Sequence, residues 1–136
     1  MKNLTRLPSI LSDLDRYFKE LESYKIISED QLKDSKTFFA TSMLSFQTFN
    51  VIFDLCDQVI SFKDLGIPST YKDTFWTLER GNIISSSTRQ KIWDIIKYRN
   101  VLAHEYGAIT EKELFFIIQN LDTLKKFVQQ MKKILI

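Results

Sequence analysis

The fold is decided by a long run without glycine or proline, residues 28–63, which reads SEDQLKDSKTFFATSMLSFQTFNVIFDLCDQVISFK. Because it lacks both helix breakers, the run predicts a helix of about 30 residues that begins at a capping box, Ser28-Glu29-Asp30-Gln31. Such a helix is longer than most in globular proteins, and this length favours packing along a helical bundle.

The second half of this run, residues 46–60, is apolar nearly all round. A helix of that kind is buried on more than one side. We expect one side to face the core of the chain and the other to face a partner chain. Asp54 and Asp57 interrupt the apolar run, and two alternatives remain open for them: Asp54 pairs with Arg99, or both carboxylates reach solvent at the edge of a groove.

Apolar residues at helical spacing predict further helices on both sides of the long one. One begins near Pro8-Ser9, a short one covers about Thr70 to Arg80, one follows the serine run 85–87, and the last follows a capping box at Thr110–Glu113. We therefore predict an all-α, up-and-down bundle of four main helices plus a short one, forming a single domain over residues 1–136.

The composition is that of a globular protein, with 44% hydrophobic and 26% charged residues. The single cysteine, Cys56, permits no internal disulfide, which fits a reducing cytoplasm. We expect no signal peptide and no membrane association, because no apolar run approaches the roughly 20 residues that span a bilayer. A net charge of +2 does not predict an extended nucleic-acid-binding surface.

The chemistry of the chain concentrates in residues 97–107, KYRNVLAHEYG, which contain the only histidine. Histidine can accept and donate a proton near neutral pH, and the arginine guanidinium matches phosphate oxygens. These residues are therefore candidates for a phosphate-handling site. Their chemistry alone favours a structural role, in which the histidine caps a helix end and the arginine stacks on a surface tyrosine.

The segment Arg99-Asn100-Val101-Leu102-Ala103-His104-Glu105-Tyr106 resembles the signature of the HEPN superfamily, in its HepT-like toxin branch. The similarity extends back to Asp54 and includes the segment Gly66-Ile67-Pro68-Ser69-Thr70-Tyr71. The resemblance implies a HEPN-like homodimer in which the two motifs face each other, and a toxin of a type II toxin–antitoxin system that cleaves tRNA or mRNA without a metal or cofactor.

Within this resemblance, Arg99 and His104 are the expected catalytic residues and Asn100 and Asp54 the supporting ones. On a regular helix the side chains of Arg99 and His104 would diverge by about 140°. Either the helix loosens near Gly107, or a second chain brings its own motif close. The two-sided apolar surface of the long helix favours the second chain. One histidine and scattered carboxylates predict no metal site.

The resemblance also implies a partner, an MntA-like nucleotidyltransferase antitoxin that transfers AMP to the tyrosine matching Tyr106. Two other functions are compatible with the sequence. The chain could be a non-catalytic subunit that presents nucleotide or substrate to a nucleotidyltransferase, or a helical scaffold that only dimerises. The complete motif favours the ribonuclease.

Overall fold

The computed structural model describes residues 4–104 and 109–136, and the regular structure in these ranges is entirely helical. In chain order the α-helices are α1 (Leu7–Ser23), α2 (Ser35–Phe62), α3 (Tyr71–Arg80), α4 (Ser86–Ile96), α5 (Arg99–Ala103), α6 (Glu111–Gln119) and α7 (Leu121–Leu135), with a 3₁₀ helix (Glu29–Lys33) before α2. The predicted all-α bundle is confirmed. No helix in the described ranges combines the length and apolarity needed to cross a membrane.

The long helix α2 is the centre of the bundle and contacts α1, α3, α5, α6 and α7. It begins later than predicted, because the capping box at Ser28 starts the 3₁₀ helix instead. Asp34 then adopts an extended conformation and caps α2, its Oδ2 accepting a hydrogen bond from the Thr37 N–H at 3.0 Å. Aspartate is a favoured N-cap residue, and a cap there interrupts the helical run.

Two other predicted helices are also divided. The helix that carries the motif breaks at Lys97–Tyr98 into α4 and α5. The last helix breaks at Asn120, whose side-chain amide donates a hydrogen bond to the Phe116 carbonyl at 2.8 Å. Asparagine competes with the backbone for hydrogen bonds, which explains the second break. The short helix α3 lies where the sequence predicts it, with Thr70 as its N-cap.

An aromatic cluster joins four helices around Phe75, which is fully buried. The Phe75 ring centroid lies 5.5 Å from that of Phe53 on α2, and 6.0 Å from those of Trp93 on α4 and Phe127 on α7. Aromatic pairs at such distances add to the stabilisation from burial alone. The cluster therefore ties α3 and α4 to the central helix and sets the framework on which α5 is placed.

The free apolar face of α2 is not where the sequence predicts it. From Phe49 to Ile60 the apolar side chains are largely buried within the chain itself. In the first half of the helix, by contrast, Phe39 is 69% exposed and Met43 is 56% exposed. The exposed apolar residues that α2 could offer to a second chain therefore lie in its first half.

Candidate functional site

Arg99 and Asn100 of the motif lie on α5, a helix of a single turn that packs against α2. α5 ends at Ala103, and His104 then turns to an extended backbone conformation with φ −81° and ψ 130°. The His104 N–H donates to the Val101 carbonyl at 3.3 Å, while its side chain is exposed. The helix thus ends before His104; Gly107, near which loosening is one of the two alternatives, lies outside the described residues.

The Arg99 side chain is fixed by a hydrogen bond and by contacts with two aromatic rings. Its Nε donates a hydrogen bond to Asn50 Oδ1 at 2.9 Å. The guanidinium carbon lies 4.3 Å from the ring centroid of Tyr71 and 5.3 Å from that of Phe46. Stacking on aromatic faces and a hydrogen bond at Nε together fix the plane of the guanidinium. The two terminal nitrogens, Nη1 and Nη2, form the outer end of the guanidinium.

Asn100 lies beside Arg99, and its Oδ1 accepts a hydrogen bond from Arg99 Nη1 at 3.3 Å. Arg99 and Asn100 are thus brought together as the motif suggests. Within the described ranges, the His104 imidazole makes no hydrogen bond to either of them. Glu105, Tyr106 and Gly107 fall outside the described residues, so the predicted modification target lies there as well.

Asp54 is not the partner of Arg99. Its Oδ2 lies 3.5 Å from Arg6 Nη2, and the Asp54 side chain is 42% exposed. The residue that holds Arg99 is Asn50, one helical turn before Asp54 on α2. Asn50 was missed in the sequence, although an amide inside an apolar run is a signal of the same kind as the two carboxylates.

An open groove of about 1260 Å³ adjoins the motif. It extends from Asn100 along α2 to the loop that joins α2 to α3, and Tyr71 forms part of its wall. Asp57 lines this groove, as the second alternative for the carboxylates expects, whereas Asp54 does not line it. Partial burial of the carboxyl group, and then the charge of Asp54, raise the pKa of Asp57, while Arg6 opposes the shift.

Cys56 does not line this groove. Cys56 is fully buried, and burial raises the pKa of its thiol far above the usual range, as expected for a core residue rather than a nucleophile. Among the described residues, no three histidine, cysteine or carboxylate side chains are grouped so that they could hold a metal ion.

Comparison with known proteins agrees with this architecture. The chain is 22% identical over 80 residues to the mRNA nuclease HepT of Shewanella oneidensis, a match that covers 58% of this chain and 60% of that protein. Its fold is similar to that of a chain in a crystal structure of a toxin–antitoxin with AMP-PNP, with a TM-score of 0.81 at 16% identity, covering 92% of this chain and 96% of the other. The family model described as Ribonuclease HepT-like matches residues 14–131, and the chain belongs to this family.

Proposed function

We propose that this protein is the toxin of a toxin–antitoxin system and a metal-independent endoribonuclease. The observation that carries the proposal is the fixed guanidinium of Arg99. Asn50 occupies its Nε and two aromatic rings restrict its plane. Within the described residues Arg99 Nη2 makes no hydrogen bond, so it can donate hydrogen bonds to a phosphate group.

The proposed reaction is attack of a ribose 2′-oxygen on the adjoining phosphorus. The 2′-O–P bond forms, the bond from phosphorus to the 5′-oxygen breaks, and the products end in a 2′,3′-cyclic phosphate and a 5′-hydroxyl. His104 takes the proton of the attacking 2′-hydroxyl or supplies one to the leaving 5′-oxygen. Arg99 stabilises the charge that develops on the phosphoryl oxygens, and Asn100 orients the same group.

The site is proposed to be shared by two chains. Each site then takes Arg99 from one chain and His104 from the other, so these two side chains need not converge within one chain. The exposed Phe39 and Met43 support this arrangement, because they lie on the same face of α2 as Phe46 and Asn50, which contact Arg99. A second copy placed on this face would lie directly beside the motif.

The test is incubation of the purified, partner-free protein with labelled tRNA and mRNA in EDTA. We expect cleavage to persist without divalent metal and to leave 2′,3′-cyclic phosphate ends. Products ending in a 3′-hydroxyl, or activity that EDTA abolishes, would contradict the mechanism. If the folded dimer cleaved neither RNA, the alternative of a nucleotide-binding subunit would replace the nuclease.

Asn50→Ala is expected to lower kcat of RNA cleavage about tenfold with little change in KM, because Arg99 loses the acceptor that orients it. Asn50→Asp retains an acceptor oxygen for Arg99 Nε and should recover much of the rate. Equal losses in both variants, or a loss confined to KM, would contradict an orienting role. Circular dichroism would establish that the helical content is unchanged.

Neutralisation is proposed to occur by transfer of AMP from an MntA-like nucleotidyltransferase to Tyr106. The added phosphate is an anion and would compete for Arg99, while its nucleoside would fill space beside the motif. Mass spectrometry after incubation with the cognate enzyme and ATP should place the modification on Tyr106, with none on Tyr106→Phe. An unmodified Tyr106 in the presence of demonstrably active enzyme would contradict the proposal.

A further inference from the structure

We propose that the groove beside the motif binds an unpaired guanine base of the RNA, and that Asp57 selects this base. The proposal rests on the ribonuclease function above and specifies its substrate further. Of the groups assigned to bond cleavage, Asn100 lines this groove, whereas Arg99 and His104 do not.

The position of the groove suits a nucleotide next to the scissile phosphate. Asn100 of the motif lines it, and so does Tyr71, whose ring contacts the Arg99 guanidinium. A phosphate held by Arg99 would therefore place the adjoining nucleotide at the mouth of the groove. The volume of about 1260 Å³ is ample for a base and its ribose.

The walls of the groove suit a base better than a phosphate backbone. They include the aromatic side chains of Phe53, Tyr71 and Trp93, together with Ile60, Ile67 and Pro68. Unpaired RNA bases are commonly bound on such apolar and aromatic surfaces. Ile67 is 96% exposed, so it gains substantially when a flat ligand covers it.

The polar groups of the groove favour different positions for the base and for the phosphate of a nucleotide. Asp57 and Asp64 line it, and carboxylates there repel phosphate oxygens. Lys72 also lines the groove, and Arg99 lies beyond Asn100 and Tyr71, so cations are available for the backbone. A nucleotide is therefore oriented with its phosphate near Arg99 and its base near a carboxylate.

Asp57 is the carboxylate best suited to contact the base. It lies on α2 between Phe53 and Ile60, which also line the groove. Asp54 has Arg6 as its partner, whereas Asp57 makes no hydrogen bond or ion pair with any other residue in the described ranges. Partial desolvation of the Asp57 carboxyl group raises its pKa. A ligand that supplies N–H donors would compensate for that desolvation.

Guanine is the base whose Watson–Crick edge matches a carboxylate. Its N1–H and N2–H₂ groups are adjacent donors that can engage both carboxylate oxygens. Adenine and cytosine present one amino donor beside a ring-nitrogen acceptor, and uracil presents one donor between two carbonyl oxygens. Asparagine at this position would present one donor and one acceptor, which each of the four bases can match, so it would not select guanine.

The experiment uses nuclease-resistant 2′-fluoro oligouridines that carry one variable base. Fluorescence anisotropy measures their affinity for the full-length protein. We expect wild type to bind the guanine oligonucleotide about tenfold more tightly than the adenine one. Asp57→Asn should abolish this preference, and the matched Asp15→Asn, which removes an exposed carboxylate on α1, should leave it unchanged. A merely structural effect would weaken all oligonucleotides alike.

Cleavage of unmodified RNA by wild type, measured in parallel, separates the two proposals. Efficient cleavage with equal affinity for all four bases would overturn the guanine site and leave the ribonuclease function intact. An Asp57-dependent guanine preference without any cleavage would uphold the groove as a binding site and overturn the ribonuclease. If no oligonucleotide bound, the guanine site would fall and a protein ligand would be the explanation of the apolar walls.

Discussion

Mixing the Arg99→Ala and His104→Ala variants is expected to restore RNA cleavage that neither variant shows alone. Each substitution should lower the rate by about 10²–10⁴-fold, because one removes transition-state charge stabilisation and the other proton transfer. If each site takes its arginine from one chain and its histidine from the other, a mixed dimer contains one intact site. Random exchange should then return about one quarter of wild-type activity.

The measurement requires evidence that mixed dimers form, which co-purification of differently tagged chains provides. A variant carrying both substitutions, mixed with wild type, is the matched control. In those mixed dimers every site lacks one of the two residues, so no activity beyond that of the remaining wild-type dimers is expected. Mixed dimers of the two single variants that stay inactive would contradict a site divided in this way between chains.

The helical bundle is predictable from the sequence because the patterns that indicate its helices are local. The run without glycine or proline in residues 28–63 identifies the central helix, and apolar spacing identifies the others. The breaks at Asp34, Tyr98 and Asn120 are not predictable in the same way. All three residues are compatible with a helix, and whether the chain turns there depends on caps and on packing against distant helices.

The same distinction between local patterns and long-range packing applies to the candidate site. Arg99 and Asn100 are adjacent in sequence, so their association follows from the motif alone. Asn50 is 49 positions from Arg99, and its role depends on how α5 packs on α2. The second half of α2, which is buried within the chain, is a further feature that depends on long-range packing. An apolar pattern shows that a face is covered, but it does not distinguish cover by the same chain from cover by a second one.

Replacing Phe39 and Met43 together by glutamate is expected to convert the proposed dimer to monomers and to reduce RNA cleavage about 100-fold. Both side chains are exposed on the face of α2 next to the motif. In a two-fold symmetric interface each substitution occurs twice, and burying four carboxylates without partners is strongly unfavourable. Sedimentation equilibrium measures the association, and cleavage assays across a range of protein concentrations measure the activity.

The matched control is Ile27→Glu, which introduces the same charge at a side chain that is 86% exposed and lies between α1 and the 3₁₀ helix. This variant should remain dimeric and active. Activity of the Phe39 and Met43 variant should return as its concentration rises and dimers form again, because the motif itself is unaltered. A variant that is dimeric at all concentrations, or a monomer with full activity, would show that this face of α2 does not complete the site.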